Sequence, residues 1–202
     1  MPAFSLDYRL APEHPFPAAI EDGLSAYHAL LDSGEAPSAI AFAGDSAGGG
    51  LAVTACLAAR DAGLPMPAAI VAFSPGLDMT RTGASMDSKA GVDPFFTRAG
   101  LDHTGAMYLA GQDPHQPMLS PATLADLTGF PPMLLQSGTN EMILKPADGL
   151  MQTAARRGRV GRPVADRLGG RGGRRGDGVM RRSRPRPVAG GGRPGRPCCA
   201  RS

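Results

Sequence analysis

Gly44-Asp45-Ser46-Ala47-Gly48 is the stretch of this 202-residue chain whose residue types and spacing could do chemistry. Small residues on both sides of a serine let the backbone turn sharply enough to hold the hydroxyl exposed at the apex. The chemistry on offer is acyl transfer, in which the hydroxyl attacks an ester carbonyl and a base takes its proton. A carboxylate then orients the base and stabilises the cation it becomes. Histidine is the usual base, and the chain has four, at His14, His28, His103 and His115. His14 lies in a proline-rich loop and His28 on a helical stretch, where each reads as a surface or packing residue. His103 is the one imidazole that could substitute as a base, and nothing in the sequence brings it to Ser46.

The elements that must position Ser46 are legible around it. Ile40–Ala43 is a strand candidate leading into the turn, and Gly50–Asp61 reads as the helix leading out, stopped by Gly63 and Pro65. Upstream, Ala3–Tyr8 reads as a short strand and Leu10–Pro17 as a loop. Ala18–Leu31 has apolar residues at helical spacing (Ile20, Leu24, Tyr27, Leu31), with Gly34 as a stop. Ala68–Phe73 and Pro132–Gln136 are continuous apolar runs of the buried-strand type. Thr97–Leu109 and Met142–Ala155 are further helix candidates. Alternating buried strands and helices predict an α/β fold with a largely parallel sheet.

Charge divides the chain. Residues 156–202 hold 15 of the 21 basic residues and only two acidic ones, a balance of +13, against −10 for residues 1–155. Two regions are therefore expected: a domain over 1–155, and an Arg/Gly/Pro-rich tail over 156–202 too poor in apolar residues to offset its ordering entropy. The tail's charge would attract nucleic acid without sequence preference. Three cysteines, Cys56 and the adjacent Cys198 and Cys199, make neither a disulfide framework nor a zinc spacing. Cys56 reads as a small buried apolar residue. With no signal peptide, no run of membrane-spanning length, and no cofactor or metal motif, a soluble cytoplasmic protein is expected.

Three stretches together resemble the hormonesensitive-lipase-like (bacterial family IV) carboxylesterases of the α/β-hydrolase superfamily: Asp7–Asp22 (DYRLAPEHPFPAAIED), Gly44–Ala52 (GDSAGGGLA) and Ser120–Glu141. The likeness covers about residues 3–157. It implies an α/β-hydrolase fold in which Ser46 forms the acyl-enzyme from a small acyl ester and the Ala47 N–H is an oxyanion donor. It implies Glu141 as the acid, with Asp148 a weaker second. It also implies a lid-like excursion over Asp78–Gln116, with Phe95, Phe96, Met107 and Tyr108 lining an acyl pocket. Asp45 is expected to fix the turn by local hydrogen bonds. Arg9, Glu13 and Asp22 are expected to form a salt-bridged scaffold.

The chain also departs from that pattern. No HGGG-type oxyanion loop lies within residues 1–45, and all four histidines precede Glu141. The resemblance stops near residue 157, where the sequence takes on the Arg/Gly/Pro bias of a GC-rich frame read out of register. A chain cut short at its N-terminus is thus expected to have gaps in its sheet and no turnover as written. The alternative reading is a non-catalytic hydrolase remnant whose basic tail binds nucleic acid.

Overall fold

The computed structural model describes residues 2–143. Most of the helix candidate Met142–Ala155, with Asp148, and the whole of 156–202 lie outside that range. Three strands form one parallel sheet in the order β1 (Ala41–Asp45), β2 (Ala69–Phe73), β3 (Met133–Gln136). The register aligns Ala41 with Ala69 and Asp45 with Phe73, then Ile70 with Met133 and Phe73 with Gln136. The α/β architecture expected from the sequence is therefore the one observed.

Each connection is set by local chemistry. Helix α1 (Ala18–Asp32) buries Ala19, Ile20, Gly23 and Tyr27 at three- and four-residue spacing. It ends as expected: Gly34, at φ 93, donates its N–H to the Leu31 carbonyl at 3.0 Å. Helix α2 (Ala47–Asp61) begins directly after Ser46, three residues earlier than expected. Its small side chains let it lie close to both β1 and α1. A Cβ on Gly23 of α1 would stand only 3.0 Å from that of Ala55. Tyr27 packs edge-on against Phe42 of β1, ring centroids 4.9 Å apart, and donates its hydroxyl to the Pro65 carbonyl at 2.7 Å.

One face of the sheet presents Phe42, Ile70, Ala72, Met133 and Leu135 to α2, and with Val53, Cys56, Leu57, Leu77, Leu127 and Phe130 these make the core. Burying a large apolar side chain is worth about 1.5–3 kcal/mol, so this cluster dominates the fold's stability. The opposite face carries Ala41, Ala43, Val71, Phe73 and Leu134, all exposed except the half-buried Val71. Helix α3 (Ser85–Ser88), helix α4 (Arg98–Leu109) and the single turn α5 (Pro121–Leu124) follow in the long excursion between β2 and β3. Thr97 caps α4 by accepting the Gly100 N–H at 3.1 Å.

The expected strand at Ala3–Tyr8 is not one. No described strand lies beside it to share a hydrogen-bond ladder, and Phe4 stays 75% exposed. The segment is instead held at Arg9. Its guanidinium pairs with Asp22 (2.8 Å) and Glu21 (3.1 Å), and its N–H also reaches Asp22 at 2.8 Å. Hydrogen bonds from Arg9 hold Asp22 below the usual carboxylate range. The scaffold is thus Arg9–Asp22–Glu21. Glu13, expected in it, points to solvent from the proline-rich loop, whereas Glu21 sits on α1 next to Asp22.

Candidate active site

Because the strands are in register, their C-terminal ends place three serines in a row: Ser46 after β1, Ser74 after β2, Ser137 after β3. Backbone bonds join the row. The Ser46 N–H donates to the Phe73 carbonyl at 2.8 Å, and the Ser74 N–H to the Gln136 carbonyl at 2.6 Å.

Ser46 has φ 51 and ψ −115, a conformation that side chains larger than hydrogen disfavour. The surrounding backbone enforces it. The Ser46 carbonyl accepts N–H bonds from Gly50 (3.0 Å) and Gly76 (3.1 Å), tying the elbow to the start of α2 and to the loop after β2. Such approaches need bare backbone. A Cβ on Gly44 would run into the Gly48 carbonyl, and one on Gly50 into the Gly76 carbonyl. The Ser46 hydroxyl is not spent on capping α2, so it is left for chemistry. Ala47 opens the helix, and the first N–H groups of a helix have no intrahelical acceptor. That leaves the Ala47 N–H without an acceptor inside the helix. Asp45, expected to fix this turn, is exposed, and no side-chain hydrogen bond holds it among the described residues. Its alternate position on β1 points it to the open face of the sheet, and the backbone bonds do the fixing instead.

Glu141 lies in the loop after β3. Its Oε1 accepts two hydrogen bonds, from the Ser74 hydroxyl at 2.6 Å and from the Gly138 N–H at 3.0 Å. Its Oε2 is buried and has no hydrogen-bond partner among the described residues; nor does the buried Ser137 hydroxyl. A buried acceptor is costly unless a donor reaches it. Residues of the excursion anchor the same loop. Ser85 donates its hydroxyl to the Met142 carbonyl at 2.5 Å, and Asp93 accepts the Met142 N–H at 2.8 Å. Burial pushes the Asp93 carboxyl up, but the N–H groups of Met142, Phe96 and Phe95 outweigh it and hold the group below its ordinary value.

The imidazoles stand elsewhere. His28 faces Asp32 at 3.8 Å along α1, and His115 pairs its Nδ1 with Asp113 at 2.9 Å; both are exposed. His14 and His103 are exposed as well, and none of the four hydrogen-bonds Ser46 or Glu141. The expected acyl lining is also displaced. Phe95 is 85% exposed, and Tyr108 packs edge-on against Phe16 of the N-terminal loop, with centroids 6.1 Å apart. A small apolar cavity of about 80 Å³, not lined by Ser46 or Glu141, is formed by Gly76, Leu77, Met79, Met86, Leu101 and Ile143, with Asp78 and Arg81 at its wall. It adjoins the Gly76 N–H that holds the elbow. Cys56 is fully buried on α2, its thiol pushed up to about 12 by burial, so it takes no part in the site. Among the described residues no cluster of three His, Cys, Asp or Glu could hold a metal ion, and no helix is long and apolar enough to cross a membrane. Ser74 went unnoticed in the sequence. Its only signal there is its place in Phe73-Ser74-Pro75-Gly76, directly after a buried strand run.

Comparison with known proteins places this geometry. A family model described as alpha/beta hydrolase fold matches residues 1–164. An acetyl-hydrolase of Streptomyces hygroscopicus is 47% identical over 154 residues, 76% of this chain and 51% of that protein. A carboxylesterase, NlhH, of Mycobacterium tuberculosis is 37% identical over 145 residues, 68% of this chain and 44% of that protein. Among solved structures, an esterase from the bacterial hormone-sensitive lipase family superposes with a TM-score of 0.73 at 46% identity, covering 79% of this chain and 53% of that one. A mutant of the esterase E40 gives a TM-score of 0.75, also at 46% identity, over 79% and 54%. The chain thus spans about half the length of the relatives it matches.

Proposed function

The chain belongs to the alpha/beta hydrolase fold family, in its hormone-sensitive-lipase-like esterase group, and from that premise we propose that it carries serine carboxylic-ester hydrolysis on Ser46 and Glu141. The observation behind this reading is the one-sided engagement of Glu141. Its Oε1 is saturated by two donors, while Oε2 is buried and has no partner among the described residues, in the loop that follows the same row of strand ends as Ser46. That is the arrangement a carboxylate needs in order to accept an N–H from a base and stabilise the imidazolium.

In this reading the Ser46 hydroxyl adds to the ester carbonyl and its proton passes to a base beside Glu141. The Ala47 N–H meets the negative charge that develops on the carbonyl oxygen. Collapse of the tetrahedral intermediate expels the alcohol, which takes the proton back from the base, and leaves Ser46 acylated. Water then reverses the sequence and releases the acid.

No imidazole of this chain stands at Glu141. The 202-residue chain by itself is therefore expected to hydrolyse p-nitrophenyl butyrate no faster than its Ser46→Ala variant. Free imidazole can enter as the missing base. Added imidazole is expected to raise p-nitrophenolate release by the parent chain above that by Ser46→Ala under the same conditions. Equal rates with and without the hydroxyl, at every imidazole concentration, would rule out Ser46 as the nucleophile. A Ser46-dependent burst without imidazole would instead place the base inside the chain.

A further inference from the structure

Ser74 sits between the nucleophile turn and the acid, and three observations bear on it together. Its backbone is left-handed, at φ 41, where glycine is the default and any other residue is strained. Its hydroxyl donates to Glu141 Oε1 at 2.6 Å. Its N–H is fixed to the Gln136 carbonyl at 2.6 Å, and the carbonyl just before it, of Phe73, receives the Ser46 N–H at 2.8 Å. A side chain kept at a position whose backbone favours glycine needs a reason, and here the hydroxyl supplies one.

We propose that Ser74 is a positioning residue for the acid: it holds Glu141 by Oε1 so that Oε2 is left facing the base, and it ties that carboxylate to the end of β2, whose Phe73 carbonyl holds the Ser46 N–H. The inference rests on the reading of Glu141 given above. Two donors on Oε1 fix both the rotation of the carboxylate and the distance of its free oxygen from the strand ends. With the Ser74 hydroxyl gone, Oε1 keeps only the Gly138 N–H, the carboxylate can swing, and Oε2 loses its direction. At metal sites, partners that orient a ligand by hydrogen bonding change affinity or rate by about 10–100-fold when removed, and an effect at the lower end of that range is expected here.

Stability and function should then move in opposite directions, which a merely structural serine would not produce. Ser74→Gly removes the hydroxyl and relieves the left-handed strain, so it is the variant that keeps the fold. Imidazole binding to the full chain is measured by NMR titration, with thermal unfolding in parallel, for the parent, Ser74→Gly, Ser74→Ala and Glu141→Gln. The expected result is saturable imidazole binding by the parent and its loss in Glu141→Gln. Ser74→Gly should bind about tenfold more weakly with an unfolding midpoint no lower than the parent's. Ser74→Ala should bind as weakly as Ser74→Gly. Parent-like affinity in both Ser74 variants, with Glu141→Gln still defective, overturns the role of Ser74 and leaves that of Glu141 standing. Imidazole binding that is absent from the parent, or unaffected by Glu141→Gln, overturns the reading of Glu141 and this inference with it.

Discussion

The two halves of the site are built from different materials. The Ser46 turn is made of backbone: its bonds run from main-chain N–H to main-chain carbonyl, and bare glycines let the strand, the helix and the loop after β2 come within reach. The Glu141 loop is made of side chains. Ser74, Ser85 and Asp93, drawn from the strand end and the excursion, reach in to hold it. Backbone construction is rigid and hard to vary, since it tolerates no Cβ at the crossing points. Side-chain construction can be altered one bond at a time, each worth about 1 kcal/mol. A serine strained at φ 51 needs the first kind, and in the proposed reading an acid that must present one chosen oxygen can use the second.

The contrast can be broken first where it is strongest. Gly50→Ala drives a Cβ into the Gly76 carbonyl, an obstacle that cannot rotate away. Urea unfolding should show a loss of about 3 kcal/mol, near the top of the range for overpacking. A loss below about 1 kcal/mol would mean that the crossing is looser than backbone construction requires.

Asp93→Ala tests the side-chain half. It frees the Met142 N–H beside Glu141, with an expected loss of about 1 kcal/mol near neutral pH, modest because the carboxylate is partly in water. The sign of the pH dependence follows from the direction of its shift. The folded-state value lies below the ordinary one, so the contribution is fully present above the usual carboxylate range and is lost as pH falls through the lowered value. The gap between parent and variant should therefore close below about pH 4. A gap that persists into stronger acid would assign the effect to packing rather than charge.

Gly48→Ala sharpens the contrast with the smallest effect. Gly48 is the second glycine of the motif, yet a Cβ there meets open space, inside the first turn of α2. Alanine should stabilise by about 0.5 kcal/mol through helix propensity, whereas the neighbouring Gly50 cannot bear the same change. The spacing Gly-x-Ser-x-Gly thus overstates the need for its last residue and omits Gly50.

What could be read from the sequence follows the same divide. Strands β1, β2 and β3 stood out because a continuous apolar run has few other fates, and Ser46 because small residues around a serine mark a tight turn. The sequence puts the start of α2 three residues late, because Gly48-Gly49-Gly50 reads as loop while the close approach of backbone to backbone that makes it helix is tertiary. Ala3–Tyr8 has strand-like residues, but a strand exists only with a neighbour, which its own residues cannot report. The resemblance implies Phe95 and Phe96 as pocket lining, whereas Phe95 is exposed, on a turn where Asp93 accepts the N–H groups of both. Ser74 was illegible for a deeper reason: a left-handed φ at serine is imposed by tertiary structure, not by residue type.

Imidazole-dependent hydrolysis in a two-residue cycle tests the central claim most directly, comparing the parent chain with Ser46→Ala, Glu141→Gln and the double variant on p-nitrophenyl butyrate. If the serine and the carboxylate act as one unit, each single change removes the imidazole-dependent excess and the double variant loses no more, as expected of residues that work through one another. If Glu141→Gln keeps the excess that Ser46→Ala abolishes, Glu141 is a loop carboxylate and the acid must be sought elsewhere.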